Sequence, residues 1–184
     1  MLGIRINKKH LLLIPGRNEK IGVEFRKILS DFGYSPKIIL PTVQPVDVKK
    51  EIYPQLFSDS TKIIARSYGC FIILRVLSGL PSFPGSVLLL NPCFGLGKYK
   101  KDQMDIRFRD RGAVKLKDMI KNGKYPVPRN LSIYTYQDDW QSDFDTCEGL
   151  KSYNNSFILI AEKGSSHTFP EKYLINTIQD FLTD

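Results

Sequence analysis

Short apolar runs recur along this chain, separated by longer segments of mixed character. Residues 11–14, 37–40, 62–65, 86–90, 131–136 and 157–161 are rich in Ile, Leu and Val and mostly do not alternate with polar residues. Runs of this length and composition predict strands buried on both faces of a parallel sheet. The segments between them carry the helical period. Ile21, Phe25, Ile28 and Phe32 lie three or four apart, and Gly33 follows as a C-terminal cap. Residues 46–57 form a second helical candidate, interrupted by Pro54. Helical spacing returns at 71–80, and at 113–121, where Ala113, Leu116 and Ile120 share a face. It closes the chain at 171–182, where Leu174, Ile178 and Leu182 recur every four. Alternating strands and helices predict the α/β class, as a three-layer α/β/α sandwich around a mostly parallel six-stranded sheet. No internal repeat or linker divides the 184 residues, so a single domain over 1–184 is expected.

Composition narrows the function classes. At 42% hydrophobic and 25% charged the chain fits a globular protein with a real core. No apolar run approaches the roughly 20 residues of a membrane-spanning helix. The basic start (Arg5, Lys8, Lys9) precedes an apolar run too short for a signal peptide, and Pro15-Gly16-Arg17 is a poor cleavage site. A cytoplasmic location is the expectation. Cys70, Cys93 and Cys147 are odd in number and widely spaced, which predicts buried inert thiols rather than a metal site or a disulfide framework.

The net charge of +8 is concentrated. Between Gly97 and Arg129 lie eleven basic residues and four acidic ones, a local excess of +7. The plain reading is a solvated surface excursion over about 92–129, a small basic cap. The functional readings are attraction for an anionic substrate, a membrane surface or nucleic acid. Tyr99, Phe108 and Tyr125 are interspersed there but match no base-stacking motif, so no specific nucleic acid is expected.

One stretch carries chemistry. Residues 61–74 read TKIIARSYGCFIIL, an apolar strand running into an apolar helix with Ser67 at the turn. A turn this sharp crowds the backbone, and bulky side chains two positions either side of the serine would strike the neighbouring strand and helix. Ala65 and Gly69 remove that collision. Ser67 is then raised at the C-terminal edge of the sheet, the arrangement of a nucleophile elbow with alanine in place of its first glycine. A relaxed small-x-Ser-x-Gly pattern arises by chance in about one chain of this size in ten, so the strand-to-helix context is what gives it weight. The plain alternative is an ordinary helix start.

A serine needs a base to act as a nucleophile at neutral pH. Of the two histidines, His10 precedes the first strand and falls at the wrong edge. His167 follows the last strand and falls at the edge that bears Ser67. An orienting carboxylate is offered by Gln137-Asp138-Asp139-Trp140, after the strand at 131–136. Ser, Asp and His thus follow three different strands, in that chain order. The plain alternative makes the aspartates turn residues and His167 a loop residue.

This order, with the elbow and a closing helix after the histidine, resembles the α/β-hydrolase superfamily over essentially the whole chain. The small size looks like the compact serine hydrolases of the retinoblastoma-binding-protein type. The resemblance implies Ser67 as nucleophile, His167 as general base and Asp139 as acid, with Asp138 the runner-up and Asp143 third. Ser166 stands where the family often has Gly before its histidine, and Pro15-Gly16 where it often has His-Gly. Acyl transfer also needs oxyanion donors. The amide after the nucleophile, that of Tyr68, is one. The resemblance places the other in the loop after the first strand, at the Arg17 amide with Asn18 next, and Gly16 allows close backbone approach. Phe94, Leu96, Tyr68 and Trp140 are candidates for lining the acyl site, or simply pack.

The implied activity is hydrolysis of a small ester or thioester through an acyl-enzyme, with no metal or organic cofactor. The substrate would be a small acyl compound, with an anionic one the option that the basic segment adds. Two other classes stay open: a catalytically silent scaffold of the same fold that binds a ligand or protein, and a binder of anionic polymers or membranes through the basic 97–129 segment.

Overall fold

The computed structural model describes residues 11–16, 23–40, 50, 52–53, 60–93, 111–125, 128–136, 147, 149–150, 159–162 and 171–183. Within them the chain alternates strand and helix. The strands are β1 (Leu11–Ile14), β2 (Lys37–Ile38), β3 (Lys62–Arg66), β4 (Phe83–Leu90), β5 (Pro128–Tyr136) and β6 (Leu159–Glu162). The helices are α1 (Val23–Asp31), α2 (Tyr68–Leu77), α3 (Arg111–Lys121) and α4 (Glu171–Thr183). The strands lie side by side in the order β2-β1-β3-β4-β5-β6, and β2 is only a two-residue bridge at one edge. Every described pairing is parallel.

Parallel pairing explains why the strands read as unbroken apolar runs: each needs apolar side chains for both faces. On one face Leu12, Ile14, Ile63, Ala65, Val87, Leu89, Leu131 and Ile133 pack with α2 and with Leu116 and Ile120 of α3. On the other, Leu11, Leu13, Ile64, Leu88, Leu90 and Tyr134 pack with Leu29 of α1 and with Ile178, Phe181 and Leu182 of α4. Successive strand residues thus divide between two cores, which makes the three layers. Lys62 ties β3 to the end of α4, donating to the Phe181 carbonyl at 2.6 Å with its ammonium 5.2 Å from the Phe181 ring centroid. Among the described residues no helix is long and apolar enough to cross a membrane.

The element boundaries differ from the hydrophobic pattern at informative places. β4 begins at Phe83 rather than 86, because Pro84 and Gly85 are weak strand formers and sit where its register with β5 shifts. α1 ends as expected at Gly33. With φ +76, this glycine lets Tyr34 N–H reach the Leu29 carbonyl at 2.9 Å while its own N–H reaches Ser30 at 2.8 Å, a Schellman cap. Of the 46–57 candidate helix, Ile52 is fully buried in the first core, and most of the rest lies outside the described residues. All three cysteines are buried as thiols.

Tyr125, just past α3, staples this layer together. Its hydroxyl donates to the Leu74 carbonyl of α2 at 2.8 Å in a buried setting. Burial pushes its pKa well above the ordinary 10, and the nearby Arg75 guanidinium pulls the other way. A folded-state pKa above the unfolded one means the contribution is whole below the unfolded value and is lost as pH climbs beyond it. Unfolding free energy measured by urea is therefore expected to fall above pH ~10. Tyr125→Phe should start about 1 kcal/mol less stable at neutral pH and decline less steeply in alkali.

Candidate active site

Ser67 joins β3 to α2 with φ 49° and ψ −119°. Few non-glycine residues adopt such a conformation, and holding one costs of order 1–3 kcal/mol. It is not the geometry of a helix cap: an N-cap residue sits in the extended region and its side chain bonds a first-turn amide. Ser67 has no such side-chain capping bond. Ser67 thus starts α2 with a strained backbone rather than as a side-chain-capped terminus, a half-buried residue at the C-terminal edge of the sheet with the local backbone expected of an elbow.

Of the two small neighbours, Gly69 has the role expected of it. Ala65 is fully buried, in register with Ile14 of β1 on one side and Leu89 of β4 on the other. A methyl on Gly69 would lie 2.6 Å from the Pro15 carbonyl oxygen and closer still to that of Ile14. The first turn of α2 thus sits directly against the end of β1. That contact brings the Tyr68 amide beside the start of the loop that follows β1. Gly16, at that start, is buried. Helical geometry leaves first-turn amides without an acceptor inside the helix, and the helix dipole favours negative charge there.

The elbow is held from the neighbouring strand. Ser67 N–H donates to the Leu90 carbonyl at 2.9 Å. The Ser67 carbonyl accepts from Cys70 N–H and Cys93 N–H, each at 3.1 Å. The Tyr68 ring stacks on Phe71, centroids 5.8 Å apart. Asn91 was not singled out by sequence, and Cys93 was singled out only as a buried thiol. The available signal was the Asn-Pro pair closing an apolar strand, a turn signature.

Of the sequence-predicted site residues, Ser67, Tyr68 and Gly16 are described, and they converge at one edge. Arg17, Asn18, Phe94, Leu96, Asp138, Asp139, Trp140, Asp143 and His167 lie outside the described residues, as does most of the basic stretch before Arg111. The strands that lead to them are described. β5 ends at Tyr136 and β6 at Glu162, both parallel to β3, so both deliver the chain to the Ser67 edge. Within the basic segment, α3 is the crossover between β4 and β5, with Leu116 and Ile120 buried and Lys115, Lys121 and Lys124 exposed.

No protein-family profile and no curated sequence matches the chain. Solved structures do. A monoacylglycerol lipase from Paleococcus ferrophilus superposes with TM-score 0.68 at 11% identity, over 94% of this chain and 93% of the lipase. A soluble variant of monoglyceride lipase from Saccharomyces cerevisiae, bound to a substrate analogue, gives 0.65 at 13%, over 99% and 88%. A fluorophosphonate-binding serine hydrolase from Staphylococcus aureus gives 0.58 at 13%, over 96% and 84%. The chain has the α/β-hydrolase fold.

Proposed function

We propose that this chain is a serine hydrolase acting on small carboxylic esters or thioesters. The observation that carries the reading is the backbone of Ser67: a strained elbow, not a helix cap, at the sheet edge of an α/β-hydrolase fold. His167 takes the Ser67 proton as the oxygen attacks the acyl carbon. The amides of Tyr68 and Arg17 stabilise the oxyanion. As the carbon–oxygen or carbon–sulfur bond breaks, the same proton passes to the leaving group. Water, deprotonated by His167, then releases the acid and regenerates Ser67. Asp139, rather than Asp138, holds the imidazole in the productive tautomer. Gly16, Asn18, Phe94 and Trp140 contact the substrate. The protein is a single domain working in the cytoplasm. The naming of several structural neighbours as lipases or esterases supports an ester bond as the target.

Reaction of the folded chain with a fluorophosphonate tests this. One adduct, mapped to the peptide containing Ser67, together with turnover of a short-chain ester panel, is the expected result. A folded protein that takes no adduct overturns the reading and leaves the silent scaffold.

The net charge of +8 favours a refinement, an anionic substrate drawn in by charge. For an acyl compound bearing a carboxylate or phosphate, kcat/KM should fall severalfold between low and ~0.5 M salt, because the Debye length shortens to a few ångströms. A neutral ester of the same acyl length should show no such fall. Equal salt dependence for both removes the refinement.

A further inference from the structure

We infer that Asn91 is a positioning residue for the nucleophile, acting through the backbone of residues 90–93; this rests on the reading of Ser67 as the nucleophile. Arg66 pairs with Leu90 in the parallel ladder between β3 and β4. Continued one step, that ladder gives the Ser67 N–H to the Leu90 carbonyl, and this bond is present at 2.9 Å. It also requires the Ser67 carbonyl to accept from the amide of residue 92. Residue 92 is proline, which has no amide hydrogen.

The chain resolves the conflict at Asn91. This fully buried residue takes φ +43°, and its N–H donates to the Tyr134 carbonyl of β5 at 2.8 Å. The left-handed turn advances the chain so that the next available amide, that of Cys93, reaches the Ser67 carbonyl at 3.1 Å. Both backbone polar groups of Ser67 are thus gripped by one short stretch of its neighbour, which is in turn anchored to β5. Asn91 and Ser67 are the two non-glycine positions of positive φ among the described residues. They are consecutive partners across one ladder step. The strained turn on β4 holds the strained turn on β3. Asparagine suits the place because it tolerates the left-handed region better than other side chains.

The test compares the full-length chain with its Asn91→Val, Asn91→Ala and Asn91→Gly variants. The rate of fluorophosphonate adduct formation at Ser67 and the kcat and KM for one short-chain ester are measured, and thermal melts confirm folding. A β-branched residue disfavours positive φ most strongly, so Asn91→Val should lower the adduct rate and kcat at least tenfold, with KM little changed. Glycine adopts the turn without penalty, so Asn91→Gly should rescue both to within about threefold of the parent chain. If the valine chain does not fold, Asn91→Ala should fall severalfold below Asn91→Gly. Equal rates in Asn91→Gly and the bulkier folded variants overturn the inference, as does a loss in Asn91→Gly as large as in the others. A parent chain that takes no adduct at Ser67 is a different failure, that of the hydrolase reading itself.

Discussion

Ser67→Ala is expected to leave a folded protein with essentially no ester turnover. Removing the nucleophile of a serine triad costs on the order of 10⁶ in kcat, and the residue of activity that remains comes from the oxyanion donors and from binding. The substitution also deletes the atom that a fluorophosphonate would modify. Adduct formation on this chain and hydrolysis should therefore vanish together, which intact mass and a short-chain ester assay can follow on one sample. Stability should change by about 1 kcal/mol at most. Alanine tolerates the elbow no better than serine, so the strain of about 1–3 kcal/mol stays, and Ser67 makes no side-chain capping bond that would be lost. A Ser67→Ala chain that still turns over ester at the parental rate would place the chemistry elsewhere and sink the proposed mechanism.

The second large effect belongs to Gly69. A valine there would drive its Cβ into the carbonyl oxygens of Ile14 and Pro15, which are main-chain atoms of a buried strand end and cannot rotate away. Either α2 withdraws from β1 or β1 bends. Overpacking of this kind costs about 1–3 kcal/mol, and backbone obstacles put Gly69→Val at the top of that range or above it. Urea unfolding would show it. Gly69→Ala meets the same two oxygens with a smaller group, and it is the more telling variant if the chain folds. A shift of about 1 Å between the start of α2 and the loop after β1 separates the proposed oxyanion donors, which is enough for roughly a hundredfold loss in rate. Gly33→Ala is the contrast: a Cβ there meets nothing within 4 Å, so the cost is only that of positive φ, about 1 kcal/mol, with activity unaffected. Equal losses at the two glycines would contradict the steric account.

Much of this was legible in the chain because a parallel sheet writes itself plainly. Strands apolar on both faces stand out as unbroken runs, and β1 and β3 fall where those runs lie, while β5 begins three residues earlier, at Pro128. The elbow was legible because it depends on residue size: only a residue without a side chain at 69 fits against the end of β1. The hold on Ser67 from β4 was not. It depends on which amide lies opposite which carbonyl, and register is a property of two strands together, not of either alone. Pro92 shows its effect only once Leu90 is known to face Arg66. Similarly, the start of β4 was hidden by Pro84 and Gly85, which pair through a register shift that no single-strand pattern encodes. Asp139 and His167 rest on chain order after β5 and β6.

The all-parallel order of the sheet also bears on how the chain assembles. Among the described strands no two neighbours can meet as a tight hairpin, since each pairing waits on a crossover of many residues and on the loop-closure entropy that goes with it. The Ser67 elbow needs β3, β4 and β5 together: Leu90 and Cys93 grip the serine, and Asn91 is anchored on Tyr134. Its contorted backbone therefore has nothing to hold it until three separated segments have docked. If Ser67 is the nucleophile proposed above, its reactivity is a late product of folding, and a nascent or partly folded molecule would carry an ordinary, unreactive serine at position 67.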